Sequence, residues 1–145
     1  MAAEIIAVAA DHAGFEYKEL LKGELSALGF EVLDLGTDST ASVDYPDFGR
    51  RLAQAVAEGK VRRGVIVCGT GIGISIAANR ERAVRAALCH DVTSARLARQ
   101  HNDANVLAMG ARVIGIEVAR QTLRAFLETE FEGGRHQNRV AKLGA

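Results

Sequence analysis

The 145-residue chain has one proline, two cysteines and no tryptophan, and only 5% of its residues are aromatic. Cys68 and Cys89 are too few for a disulfide framework and fit a reducing cytoplasm. No apolar run approaches the roughly 20 residues of a membrane span. The N-terminus enters a strand-like run with no charged-then-apolar leader before it. Lys+Arg and Asp+Glu are both 18, so no net basic surface points to nucleic acid. Linkers, low-complexity segments and internal repeats are also missing. The expectation is one domain over residues 1–145, with a core of Ala, Val, Leu and Ile.

What the chain does have is a regular alternation. Glu4 to Ala10 is a continuous apolar run of strand length, the pattern of a buried parallel strand. After Asp11-His12-Ala13-Gly14 the spacing turns helical, with Phe15, Leu20, Leu21, Leu25 and Leu28 along one face and Gly29 at the C′ position. Further strands are expected at Glu31–Leu35, Gly64–Cys68, Arg85–Cys89 and Asn105–Met109. Between them, Pro46 suits the first turn of a helix that Gly59 ends. Further helices cover Val92–Gln100, broken by His101-Asn102-Asp103, and Gly115–Glu130. Five strands alternating with helices imply an α/β, three-layer Rossmann-like domain: a five-stranded parallel sheet flanked by helices, with right-handed crossovers. Ligands of such sheets bind beyond the C-terminal strand ends, near a switch in strand order.

Residues 64–80, GVIVCGTGIGISIAANR, are the most informative stretch. An apolar strand ends at Cys68, Gly69, Gly71 and Gly73 follow with Thr70 and Ile72 between them, and an apolar helix continues from Ile74. Such a loop offers backbone N–H groups to an anion. A thiol at its lip lies near partial positive charge, which favours the thiolate. A P-loop requires a Gly-Lys-Ser/Thr sequence that is absent here. A dinucleotide fingerprint requires a third glycine at position 74, where Ile74 stands, although Asp91 could serve as a ribose-binding acid.

Several residues carry two open readings. Cys68 is either a catalytic thiol or a small buried residue like Cys89. Asp11 is either a ligand-binding acid or an N-cap, and His12 either its partner or a surface residue. His101 and Asn102 either act on a substrate or merely end a helix. Arg135 and Arg139, four apart, are either a phosphate clamp on one helical face or a solvated basic tail, and Arg112 is either a third contributor or a surface charge. His136 lies between the two tail arginines in sequence and turns about 100° away from Arg135 on a helix.

DHAGF at 11–15, DYPD at 44–47, CGTGIGISIAANR at 68–80, RQHNDANVLAMGAR at 99–112 and EGGRHQNR at 132–139 together resemble the ribose-5-phosphate isomerase B family, which includes galactose-6-phosphate and allose-6-phosphate isomerases. The resemblance runs in order along nearly the whole chain. It implies interconversion of ribose 5-phosphate and ribulose 5-phosphate through an enediolate, with no metal or organic cofactor. It implies a homodimer, sometimes a tetramer, in which each site is completed by the neighbouring subunit, with the tail from about residue 131 contributing. Cys68 matches the base that moves the proton between C1 and C2, assisted by Thr70. Gly69, Gly71, Ile72 and Gly73 belong to the loop that holds the oxyanion. His101 matches the acid that opens the furanose ring, and Asn102 an adjacent sugar contact. Asp11 and His12 match substrate-binding positions. Arg112, Arg135 and Arg139 match phosphate or substrate contacts, and Tyr45 a site-lining position. One branch of the family uses a glutamate in the glycine loop instead of the cysteine. The corresponding position here, Ile74, cannot take a proton, so the chain resembles the cysteine branch. A hexose-phosphate isomerase and a non-catalytic sugar-phosphate or nucleotide-binding module remain the alternatives.

Overall fold

Strand β1 (Ile5–Ala10) shows why the sheet must be covered on both faces. Its alternate residues Ile6, Val8 and Ala10 join one apolar cluster, while Ala7 and Ala9 join another. A computed structural model describes residues 2–144. The other strands are β2 (Glu31–Asp34), β3 (Arg63–Cys68), β4 (Ala86–Leu88) and β5 (Val106–Gly110). All pairings are parallel, and the order is β2-β1-β3-β5-β4. Helices α1 (Phe15–Ala27), α4 (Val92–Asn102) and α5 (Ile116–Glu128) supply Leu21, Leu25, Ala95, Ala98, Leu123 and Phe126 to the first cluster. Helices α2 (Tyr45–Ala57) and α3 (Ile72–Ala78) supply Phe48, Leu52, Ile74 and Ala78 to the second. The expected three-layer α/β architecture is therefore present. A sixth helix, α6 (Arg135–Leu143), is formed by the tail. Among the described residues, no helix is long and apolar enough to cross a membrane.

The order of strands creates the switch point. From β1 the chain steps outward to β2, then returns to the other side of β1 at β3. The loops after β1 and β3 therefore leave the sheet side by side, with Ala10 in register with Val67. Lys18 fixes the neighbouring exit. It is only 1% exposed, and its Nζ donates to both Asp34 oxygens at 2.9 and 2.8 Å. Burial alone would raise the Asp34 carboxyl, but bonds from Lys18, Lys22 and the Gly36 N–H outweigh it and hold the group below the usual carboxylate range. Gly36 in turn accepts from the Ala10 N–H at 2.8 Å, which secures β1 just before Asp11.

Four local expectations are corrected. Helix α4 does not break at His101; it continues through Asn102, and Asp103 ends it in the left-handed region at φ 46°. Bonds from Arg99 and Arg85 to the Asp103 carboxylate hold that turn. Asp91 accepts from the Ser94 N–H at 2.6 Å and caps α4, which accounts for it without a ribose. Gly14, not Asp11, is the N-cap residue of α1. The helix after the glycine loop begins at Ile72, so Gly73 lies in its first turn.

Candidate active site

Cys68 is the last residue of β3, and its buried Sγ accepts a hydrogen bond from the Gly71 N–H at 3.1 Å. The loop can make this turn because Gly71 sits at φ +78°, where other residues are strained. There is also no room for a side chain: a Cβ on Gly71 would stand 2.6 Å from Leu88 Cδ1 and 2.8 Å from the Met109 carbonyl carbon. Thr70 Oγ1 accepts from the Ile72 N–H at 3.2 Å, which leaves the hydroxyl proton free to be donated. Among the described residues, the Gly73 and Ile74 amides in the first turn of α3 have no acceptor. The loop thus pairs a sulfur acceptor with backbone donors that an anion could use.

The end of β1 closes the other side. Asp11 is buried, its N–H donates to the Val67 carbonyl at 3.3 Å, and its Oδ1 accepts from Gly14 N–H at 3.0 Å. Gly14 presses so closely on the Val67 carbonyl that no Cβ fits there. His12 Nδ1 accepts from the Val43 N–H at 3.1 Å, which assigns the proton of the neutral ring to Nε2. Tyr45, at the start of α2, lays its ring against Gly73. Arg112 follows β5; its N–H donates to the Gly69 carbonyl at 2.9 Å, and its side chain passes over Gly69. Asp11, His12, Tyr45, Arg112 and the Cys68–Gly73 loop therefore share one end of the sheet.

The remaining candidates do not join them within the chain. His101 and Asn102 occupy the last turn of α4, immediately before β5 begins, so they lie at the opposite end of the sheet. The length of β5 alone, five residues, separates the two ends by roughly 15 Å. Arg135 and Arg139 are exposed on α6, which packs against α4. A cavity of about 270 Å³ is lined by His101, Asn102, His136, Arg139, Val140 and Leu143 and by none of the loop residues. The expectation of a helical tail with both arginines on it is met; contact between that tail and Cys68 of the same chain is not.

One contributor escaped the sequence reading. His90, just after β4, accepts the Gly110 N–H at its Nε2, 3.0 Å away, and so braces the turn where β5 meets the glycine loop. A Cβ on Gly110 would stand 2.6 Å from the Thr70 carbonyl carbon, which shows how close that approach is. The available signal was position: a histidine directly after a parallel strand stands at the functional edge.

The model of the family described as Ribose/Galactose Isomerase matches residues 6–143. The chain belongs to the ribose/galactose isomerase family. Ribose-5-phosphate isomerase B of Escherichia coli is 49% identical over 140 residues, covering 97% of this chain and 94% of the relative. The structure of ribose 5-phosphate isomerase of Thermotoga maritima superimposes with a TM-score of 0.95 at 48% identity, covering 99% of each chain. The Clostridium thermocellum ribose-5-phosphate isomerase B gives the same score and identity over 97% of this chain and 95% of that one. The glycine loop and both sets of candidate residues lie within the stretch that the ribose/galactose isomerase family model matches.

Proposed function

We propose that the protein is a cofactor-independent aldose–ketose isomerase that interconverts D-ribose 5-phosphate and D-ribulose 5-phosphate in the cytoplasm, within the pentose phosphate pathway. The observation that carries this reading is the Gly71 N–H held 3.1 Å from Cys68 Sγ, in a loop whose Gly73 and Ile74 amides have no acceptor among the described residues. As thiolate, Cys68 takes the proton from C2 of the open-chain aldose and returns it to C1. The enediolate oxygen that forms between those steps accepts the spare amides of the loop, each worth about 3–4 kcal/mol in comparable sites. Thr70, with a donatable hydroxyl proton, assists transfer between the two oxygens. General base catalysis of this kind supplies roughly a hundred- to ten-thousand-fold. His101 protonates the ring oxygen of the furanose, beside Asn102. Asp11 and His12 hold sugar hydroxyls, and Arg112, Arg135 and Arg139 bind the phosphate, which orients the reacting carbons.

The reading requires a second copy of the chain, and we assign a homodimer as the working unit of this single isomerase domain. Two observations support it. His101, Asn102, Arg135 and Arg139 stand at the wrong end of their own sheet, so another copy must bring them to Cys68. Beside the loop, Ile72 and Ile76 are 51% and 52% exposed, with Tyr45 and Leu88 next to them, an apolar surface that a second copy would cover. Because one chain carries both sets of residues, a self-sufficient pentose enzyme is favoured over a hexose enzyme built from unlike subunits.

Initial rates with ribose 5-phosphate, allose 6-phosphate and galactose 6-phosphate test the substrate. The expected order places the pentose first by at least tenfold in kcat/KM. Higher turnover of either hexose phosphate would move the assignment, and binding of all three without turnover would favour a non-catalytic module.

A further inference from the structure

The catalytic scheme leaves one buried imidazole without a task. His136 is 7% exposed, and its ring stacks on His101 with centroids 4.4 Å apart and planes inclined by 15°. Its Nε2 lies 3.7 Å from Glu132 Oε1. Ligand atoms of His101, Glu132 and His136 all fall within 4.8 Å of one another, a spacing that invites comparison with a metal site. The stack argues against one. Nitrogen lone pairs lie in the ring planes, and two nearly parallel planes 4.4 Å apart do not converge on a point about 2 Å from both nitrogens.

Stacking instead couples the two rings. Two imidazolium charges 4.4 Å apart would repel, so protonation of either ring is felt by the other. Burial pushes His136 below the ordinary histidine value; His101, Arg135 and Arg139 act in the same direction, and Glu132 opposes them. His101 is the more exposed partner.

We propose that His136 is a positioning residue acting through His101: its buried ring, stacked on His101, fixes the plane in which His101 presents a proton. This rests on the reading of His101 as the ring-opening acid.

The test uses the two directions of the reaction. Ribose 5-phosphate is cyclic in solution and needs its ring opened. Ribulose 5-phosphate cannot close a furanose ring, because its O5 carries the phosphate. Exchange of its C1 hydrogen for deuterium in heavy water, followed by NMR, therefore needs Cys68 but no ring-opening acid. His136→Ala and the bulkier His136→Gln are each expected to lower kcat on ribose 5-phosphate at least tenfold. KM should stay within threefold, and deuterium exchange likewise. His136→Phe, which restores a flat uncharged ring, should return kcat to within threefold of the parent enzyme. Equal losses in both assays, or a raised KM at unchanged kcat, would mean that His136 merely holds α6 and its arginines, and would overturn the proposal. So would parental kcat in both His136→Ala and His136→Gln. His101→Ala separates the two levels of the argument. If it leaves ribose 5-phosphate turnover intact, the acid assignment fails and the proposal with it. If it abolishes turnover while the His136 variants do not, the proposal alone fails.

Discussion

Strand β3 ends in a buried cysteine and β4 is followed at once by another, yet the two sulfurs meet different surroundings. After Cys68 the chain folds back through Gly71, whose N–H is aimed at the sulfur, and α3 then opens with spare amides. After Cys89 it enters a capped helix. Burial raises the Cys89 thiol, the Ser94 hydroxyl pulls it down, and the Asp91 carboxylate pushes it up again, leaving it above its ordinary value. The end of β3 thus aims an N–H donor at its sulfur, whereas burial beyond the end of β4 raises the Cys89 thiol. The contrast shows that a cysteine after a strand means little until its electrostatic surroundings are known.

The most direct way to break this contrast is to remove each sulfur. Cys68→Ala is expected to lower turnover of ribose 5-phosphate by a hundred- to ten-thousand-fold, about the range of a lost general base, while Cys89→Ala stays within threefold. Comparable losses in both would erase the distinction, as would activity surviving in Cys68→Ala. A smaller effect comes from the turn. Gly71→Ala forces a side chain into the left-handed region, at about 1–2 kcal/mol, and into contact with Leu88 and Met109. Turnover should fall roughly ten- to a hundredfold, within the range expected of one lost donor, with melting temperature also reduced. Full activity in that variant would mean that the aimed amide is not needed.

The smallest expected effect is on the alkaline side of the stability curve. Below about pH 8.5 Cys89 keeps its proton in both folded and unfolded chains and contributes nothing to the slope. At higher pH the unfolded chain releases the proton while the folded chain retains it, so stability declines. Denaturant titrations between pH 7 and 10 should show a shallower decline in Cys89→Ala than in the parent. An identical slope would remove the role given to burial.

Most of the fold was legible because parallel strands covered on both faces are nearly continuous apolar runs, and Glu4–Ala10 and Gly64–Cys68 are such runs. Their adjacency was not. It depends on pairing between residues about sixty positions apart, such as Ala7 with Gly64, which no local pattern encodes. The extent of α4 was not legible because His101 and Asn102 are poor helix formers, and side-chain bonds from Arg99 and Arg85 to Asp103 move the stop beyond them. The division of candidates between two ends of the sheet is implicit in the alternation of strands and helices. In a right-handed alternating chain, residues after a strand stand at one edge, and residues closing the next helix stand at the other. Asp11, Cys68 and Arg112 follow strands; His101 and Asn102 close a helix. The stacking of His136 on His101 left no sequence signal, because α6 docks on α4 through contacts between separate segments.

That division has a genetic consequence. A chain lacking Cys68 still carries an intact His101 and both tail arginines, and a chain lacking His101 still carries an intact loop. In the homodimer proposed here, neither variant alone forms a working site, but one of each builds a dimer with one site wholly defective and one wholly intact. Two inactive alleles of a single gene would then rescue each other when co-expressed, to at most about a quarter of normal activity with random pairing. Two alleles damaged at the same end of the sheet would not.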